Sequence, residues 1–181
     1  MSPGSGIGVS DLADRCGHLA WVADALFVLE GRWAAKMESP SAVEHLATHS
    51  RLHGWHTSLW HDLLPDSPAL DAGARRVAPP GWETAVAKAD ELGDDSDDGT
   101  RLALLYRGLV ARAAAMVGNL GRVTTGPGDA AAARVVRLVS ADLQSDMVGG
   151  IALLVTALGD EASVRRAGDA VKALDQSFTY L

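Results

Sequence analysis

A single cysteine, Cys16, stands among 181 residues. One thiol makes no intrachain disulfide and no cysteine-based zinc cluster. Basic residues are in the minority: 16 Lys and Arg against 23 Asp and Glu leave a formal charge of −7. No basic run occurs, which argues against nucleic acid or an anionic membrane as partner. No apolar run approaches about 18 residues, so no membrane span is expected. The opening MSPGSGIG lacks the basic flank and apolar core of a signal peptide, and the expected location is cytoplasmic. Residues 1–10, rich in Gly, Ser and Pro, are expected to be flexible. No stretch alternates with the period of a strand, and none repeats with the period of a solenoid. Neither a glycine-rich phosphate loop nor a Ser/His/Asp motif is present.

What remains is helical periodicity, and the fold class it predicts is all-α, one domain over residues 11–181. The first long helix is expected over residues 12–37, capped by Ser10 or Asp11. Its stripe is Leu12, Cys16, Leu19, Ala23, Leu26, Phe27, Ala34 and Met37. The second runs over 40–64, with Ser39 as cap, Pro40 in its first position and Pro65 at its end. The link between the two is short, so they should be antiparallel neighbours. Residues 65–99, rich in Pro, Gly and Asp, form a crossover with one short helix at 82–92. The acidic run 94–98 reads as solvated loop and helix start. A third helix is expected over 100–123 and a fourth over 129–158. A last amphipathic helix at 160–176 should pack across one end. Four long helices with one long crossover between the second and third is ferritin-like connectivity.

The second helix carries most of the chemistry. Five of the six histidines lie in 44–64. His45, His49, His53 and His56 fall within roughly 80° of one another at about 100° per residue. They share that face with Leu52, Leu59 and Leu63, where an imidazole needs a partner. Glu30 lies in the middle of the first helix's apolar stripe, about 13 Å back from the turn at about 1.5 Å per residue. It should meet His49 or His53 at one level of the bundle. A carboxylate there must be paired, protonated or ligated. Asp142 and Asp146 sit one turn apart on the inward face of the fourth helix. The third helix has no Asp or Glu between Arg101 and Arg122. Carboxylates and imidazoles converging inside a bundle can hold Fe, Mn or Zn. The candidate ligands are Glu30, His49, His53, Asp142 and Asp146, with His56 a ligand or a supporting group. Glu30 and His53 are the candidate catalytic pair. The alternatives are ion pairs of Glu30 with Arg112 or Arg101, and His45 and His56 turned to the ends or to solvent. Cys16 reads as a small core residue, Trp33, Trp55 and Trp60 as packing rings, His18 and His61 as exposed.

The segments LFVLEGRW, ATHSRLHGWHTSLWHDLLP and RLVSADLQSDM together resemble a family of ferritin-like proteins common in actinobacteria. The most specific piece is His49-Ser-Arg-Leu-His53-Gly-Trp55-His56. In the wider superfamily the first and third helices each give a Glu, and the second and fourth each give Glu-x-x-His. Those sites bind two irons and serve ferroxidation or oxygen activation. In this chain Glu30 fits the first position, and His53-Gly-Trp-His56 stands where Glu-x-x-His would be. The third helix offers no Glu, and the fourth offers Asp142 and Asp146 without a His. A single metal, a non-standard pair and no metal are all left open. The function implied is a metal-binding protein, with an oxidoreductase acting on a small organic substrate of a biosynthetic pathway as the enzymatic form. The alternative is a metal-free bundle that works by Glu/His acid–base chemistry or as a non-catalytic binding or assembly protein. The Trp and Ala surface leaves a homodimer open.

Overall fold

The computed structural model describes residues 7–67 and 71–178, and every regular element among them is helical. Residues 1–6 of the segment expected to be flexible lie outside the described residues, whereas Val9 and Ser10 already belong to the first helix. That helix, α1, runs Val9–Ala34, with Gly8 as its N-cap instead of Ser10 or Asp11. Asp11 instead lies in the first turn, where the helix dipole favours an anion. Its buried face is Leu19, Leu26, Leu29, Glu30 and Trp33 among others, but Phe27 departs from the expected stripe and is exposed. Phe27 lies over Gly54 of the second helix, where any Cβ would approach its ring to 3.3 Å.

Helix α2, Pro40–His61, starts behind Ser39 as expected and ends a turn early. The Ser39 hydroxyl does not cap it, being paired with that of Ser41. The acceptor comes from elsewhere: the Asp98 carboxylate takes the backbone N–H of Glu38 and Ser39 at 2.9–3.2 Å. One acid of the run at 94–98 therefore closes the end of the bundle. Asp97 caps its own helix through the Thr100 N–H, and Asp94 pairs with Lys36.

The crossover holds a single turn, α3 (Ala72–Arg75), and the expected short helix, α4 (Trp82–Gly93). Arg75 and Arg76 tie it to Asp14 and Asp24 of α1, and Asp90 ties it to Arg32. The third long helix is one rod in three parts: α5 (Asp98–Ala103), a π-helical stretch Leu104–Leu109, and α6 (Val110–Val123). Arg101 is buried in it and donates to the carbonyls of Gly93, Lys36 and Asp94, not to Glu30. After a 3-10 turn at Pro127–Asp129, α7 runs Ala130–Ala157. With its leading turn it is long and apolar enough to cross a membrane by length and composition, contrary to the expectation of no such stretch. Its two central aspartates interrupt the run without removing its apolar average.

Helix α1 packs against α2 and α6, and α7 packs against α6 and α2. Both α2 and α5 begin at the end held by Asp98, so the second and third long helices run parallel while each linked pair runs antiparallel. Helix α8, Glu161–Gln176, is not laid across an end. It flanks the third rod lengthwise, bound by Arg166–Asp97 at its start and Arg112–Asp175 near its finish. The core holds Trp33, Trp60, Tyr106 and a block of leucines, while Trp55 is exposed. Each fully buried Leu in such a core stabilises by about 1.5–3 kcal/mol relative to exposure.

Close approach depends on glycine at several places, among them Gly17, Gly93 and Gly150. A Cβ at Gly150 of α7 would overlap the Tyr106 ring. Gly118 and Gly168 are exposed helix positions with nothing within 4 Å of an added Cβ. Thermal melts should therefore separate them. Gly118→Ala and Gly168→Ala each gain about 0.5–1 kcal/mol from helix propensity, whereas Gly150→Ala loses about 1–3 kcal/mol to overpacking.

Candidate metal centre

The centre is built on Asp146, which α7 buries to 1 % exposure. Helical spacing brings α2 past it with His45, His49 and His53 on successive turns. Asp146 Oδ1 lies 3.1 Å from His45 Nε2 and 3.6 Å from His49 Nδ1, and it accepts a 2.9 Å hydrogen bond from the Tyr106 hydroxyl. Asp146 Oδ2 lies 3.5 Å from His53 Nε2, which lies 3.3 Å from Glu30 Oε1. Two triads result, Glu30/His53/Asp146 and His45/His49/Asp146, each with donor atoms within 4.8 Å of one another. Asp146 belongs to both.

Four of the predicted ligands, Glu30, His49, His53 and Asp146, are thus brought together. His56 and Asp142 are not: they pair with each other at 2.9 Å beside the triads, although the His56 ring keeps an edge contact with His53 at 5.6 Å. Glu30 meets neither Arg101 nor Arg112. His45, placed on the inward face with an end or solvent position as the alternative, is half-buried on the centre. It reaches Asp146 because Gly149 leaves room, since a Cβ there would stand 2.5 Å from the imidazole. Tyr106 belongs to the centre although it is not among the candidates of the sequence, and it is buried beside Leu105. The π stretch spreads the inward face over both residues. A signal existed: a tyrosine inside LALLYRGLV must find a partner for its hydroxyl once buried.

Buried polar atoms in folded proteins are almost all hydrogen-bonded. Six buried side-chain atoms among the described residues have no such partner: Glu30 Oε1 and Oε2, His53 Nε2, Asp146 Oδ2, His56 Nδ1 and Trp33 Nε1. The first four belong to one triad and converge on it. Oxygen and imidazole donors in this proportion suit Zn, Fe or Mn. Cys16 adds nothing, being some 21 Å away along α1 at about 1.5 Å per residue, with its thiol pushed by burial up to about 12.

Burial raises the Glu30 carboxyl, and the neighbouring His53 only partly reverses it. Burial alone would lower His53, but Glu30 and Asp146 outweigh it and lift the imidazole to about 10. Burial would raise Asp146 as well, yet the hydrogen bond from His45 and the charges of His49 and His53 hold it well below the usual carboxylate range. His49 and His56 are lowered, chiefly by burial. Tyr106 is driven far up by burial and by Glu30 and Asp146, so it stays a donor. A proton on His53 between two carboxylates therefore occupies the place a cation would take.

A groove of about 450 Å³ between α2 and α7 opens onto His45 and His49, past Thr48, Gly149 and Ala152. A larger one, about 590 Å³, lies at the end of the bundle among Glu38, Asp97, Asp98 and Arg166 and contains no residue of the triads. The first is the one that matters to the centre. Compared with known proteins, the chain matches no family model, no curated protein and no solved structure.

The signs of these shifts set the pH dependence of the metal-free protein. Lowered His49 and His56 mean that the unfolded chain takes up protons first below 6.5, so their contribution is lost on acidification through that value. Depressed Asp146 adds a loss of the same sign lower down, as pH falls below the ordinary carboxylate range. Raised His53 acts oppositely: its contribution is complete below 6.5 and is lost as pH rises to about 10. Chelator-treated protein should melt highest near neutrality and lower on both sides, and His53→Gln should flatten the alkaline limb.

Proposed function

We propose that the chain is a ferritin-like metal-binding protein whose centre serves an oxidoreductase acting on a small organic substrate. The single observation that carries the metal is the convergence of four buried donor atoms without a hydrogen bond, from Glu30, His53 and Asp146. Glu30, His53 and Asp146 Oδ2 would hold one ion. His45, His49 and Asp146 Oδ1 would hold a second, since Asp146 belongs to both triads. Fe or Mn there would supply electron exchange, and Zn would supply Lewis acidity. Tyr106 orients Asp146 through its hydrogen bond, the role that supporting partners play around metal ligands. His45 and His49 stand at the groove, where a substrate can approach. Glu30 and His53 are sealed on the inner side, away from water. A parallel second and third helix joined by a long crossover supports the ferritin-like arrangement.

Acid–base work by Glu30 and His53 without a metal is the weaker reading. Glu30 is 0 % and His53 2 % exposed, so neither touches the open groove. General acid–base catalysis requires hydrogen-bond reach to the reacting proton.

Metal analysis of untagged protein purified without chelator tests the proposal. About one to two equivalents of Fe, Mn or Zn per chain are expected, with uptake by depleted protein that releases protons as His53 gives up its own. Asp146→Asn should remove metal from both triads, and Glu30→Gln from one. Asp142→Asn should leave the content unchanged. At about 100 times its Kd a bound ion should add about 2.7 kcal/mol to stability. Substoichiometric metal together with no uptake on titration overturns the reading.

A further inference from the structure

Helix α7 has two faces, and only one of them is used by the bundle. Leu138, Ala141, Ser145, Val148, Ala152 and Val155 are all exposed, Val148 and Val155 to 69 %. Their spacing is 3, 4, 3, 4, 3, the repeat by which one helix presents a seam to another. Between Leu138 and Gly159 the helix has no charge except Asp142 and Asp146, both committed to histidines of α2. Of the most apolar 18-residue stretch of this helix, 28 % is buried. Single exposed valines need no explanation; a charge-free seam at heptad spacing does.

We propose that this face of α7 pairs with the same face of a second copy of the chain, antiparallel about a two-fold axis near residues 146–147. Three observations select that occupant. The seam is long enough: 17 residues at about 1.5 Å make about 26 Å. Exposed Ser41 and Thr48 on the other bank of the groove widen the contact towards the roughly 800 Å² per partner of a standard interface. The ends are also complementary under reversal. Exposed Arg134 and Arg137 lie before the seam and exposed Asp160 and Glu161 after it. A two-fold at 146–147 sets Arg134 of each copy beside Asp160 of the other, at the helix C-terminus where a cation is favoured. Finally, the seam lacks the features of a lipid surface. No Lys or Arg lies along it, and the formal charge of −7 opposes anionic headgroups.

The pairing has a consequence for the centre. Ala152 belongs to the seam and to the wall of the groove over His45 and His49. A docked copy therefore narrows this approach to that triad and selects for small substrates. This consequence rests on the metal-centre reading; the pairing itself does not.

Sedimentation velocity on the full chain from about 1 to 100 µM, with and without chelator, provides the test. The expected species is a dimer, twice the 18.9 kDa chain mass, in both conditions. Val148→Lys and Val155→Lys should each give monomer with unchanged helix content by circular dichroism. Val77→Lys, on the exposed crossover that packs on α1, should leave the dimer intact. A monomeric parent at 100 µM, or a dimer that survives both seam substitutions, overturns the proposal. Flotation of the parent with neutral phosphatidylcholine vesicles in place of dimer formation also overturns it, in favour of a membrane. Because the mass is read at both metal contents, failure of the pairing and failure of the metal reading remain distinguishable.

Discussion

Asp146 is a carboxylate buried to 1 % exposure, and the elements around it are arranged so that its charge has partners. A buried ion without compensation costs several kcal/mol even after relaxation. The compensation comes from two elements: His45, His49 and His53 on α2, and Tyr106 on the π stretch of the third rod. Glu30 then places a second carboxylate on the far side of His53. Two acids and three imidazoles in a dry space are stable only with positive charge among them. The same requirement makes the space suited to a cation.

Several features otherwise unconnected follow from that requirement. Gly149 and Gly150 are side by side on α7 because His45 and the Tyr106 ring press against the helix there. The π stretch lies at this level, where a wider turn brings Tyr106 inward together with its leucine neighbours. Such local departures from α geometry are frequent at functional sites. Asp98 and Arg101 lock the end of the bundle through backbone groups of residues 36–39. That lock holds α1 and α2 in register, and Glu30 opposite His53 with them.

The two faces of α7 divide the labour of the molecule. The inward face carries Asp142 and Asp146 to the histidines. The outward face is free of charge over its whole middle. An aspartate that must be dry is best held on a helix whose neighbours exclude water from both sides. A second copy along the outward seam would extend that exclusion over the groove.

Sequence alone determined the helical class, the long helices to within about a turn, and the inward position of Glu30, His49, His53 and Asp146. Helical period assigns a residue to a face before any packing is known. It does not assign a side chain to a partner. That His56 would spend itself on Asp142, that His45 would reach Asp146 over Gly149, and that Tyr106 would reach Asp146 depended on the axial register of α2 against α7 and on the π stretch. Likewise Phe27 left its stripe for the surface, and α8 lay along the third rod instead of across an end. Register and rotamer are decided by the packing of several helices at once, and no single helix's pattern of residues contains them.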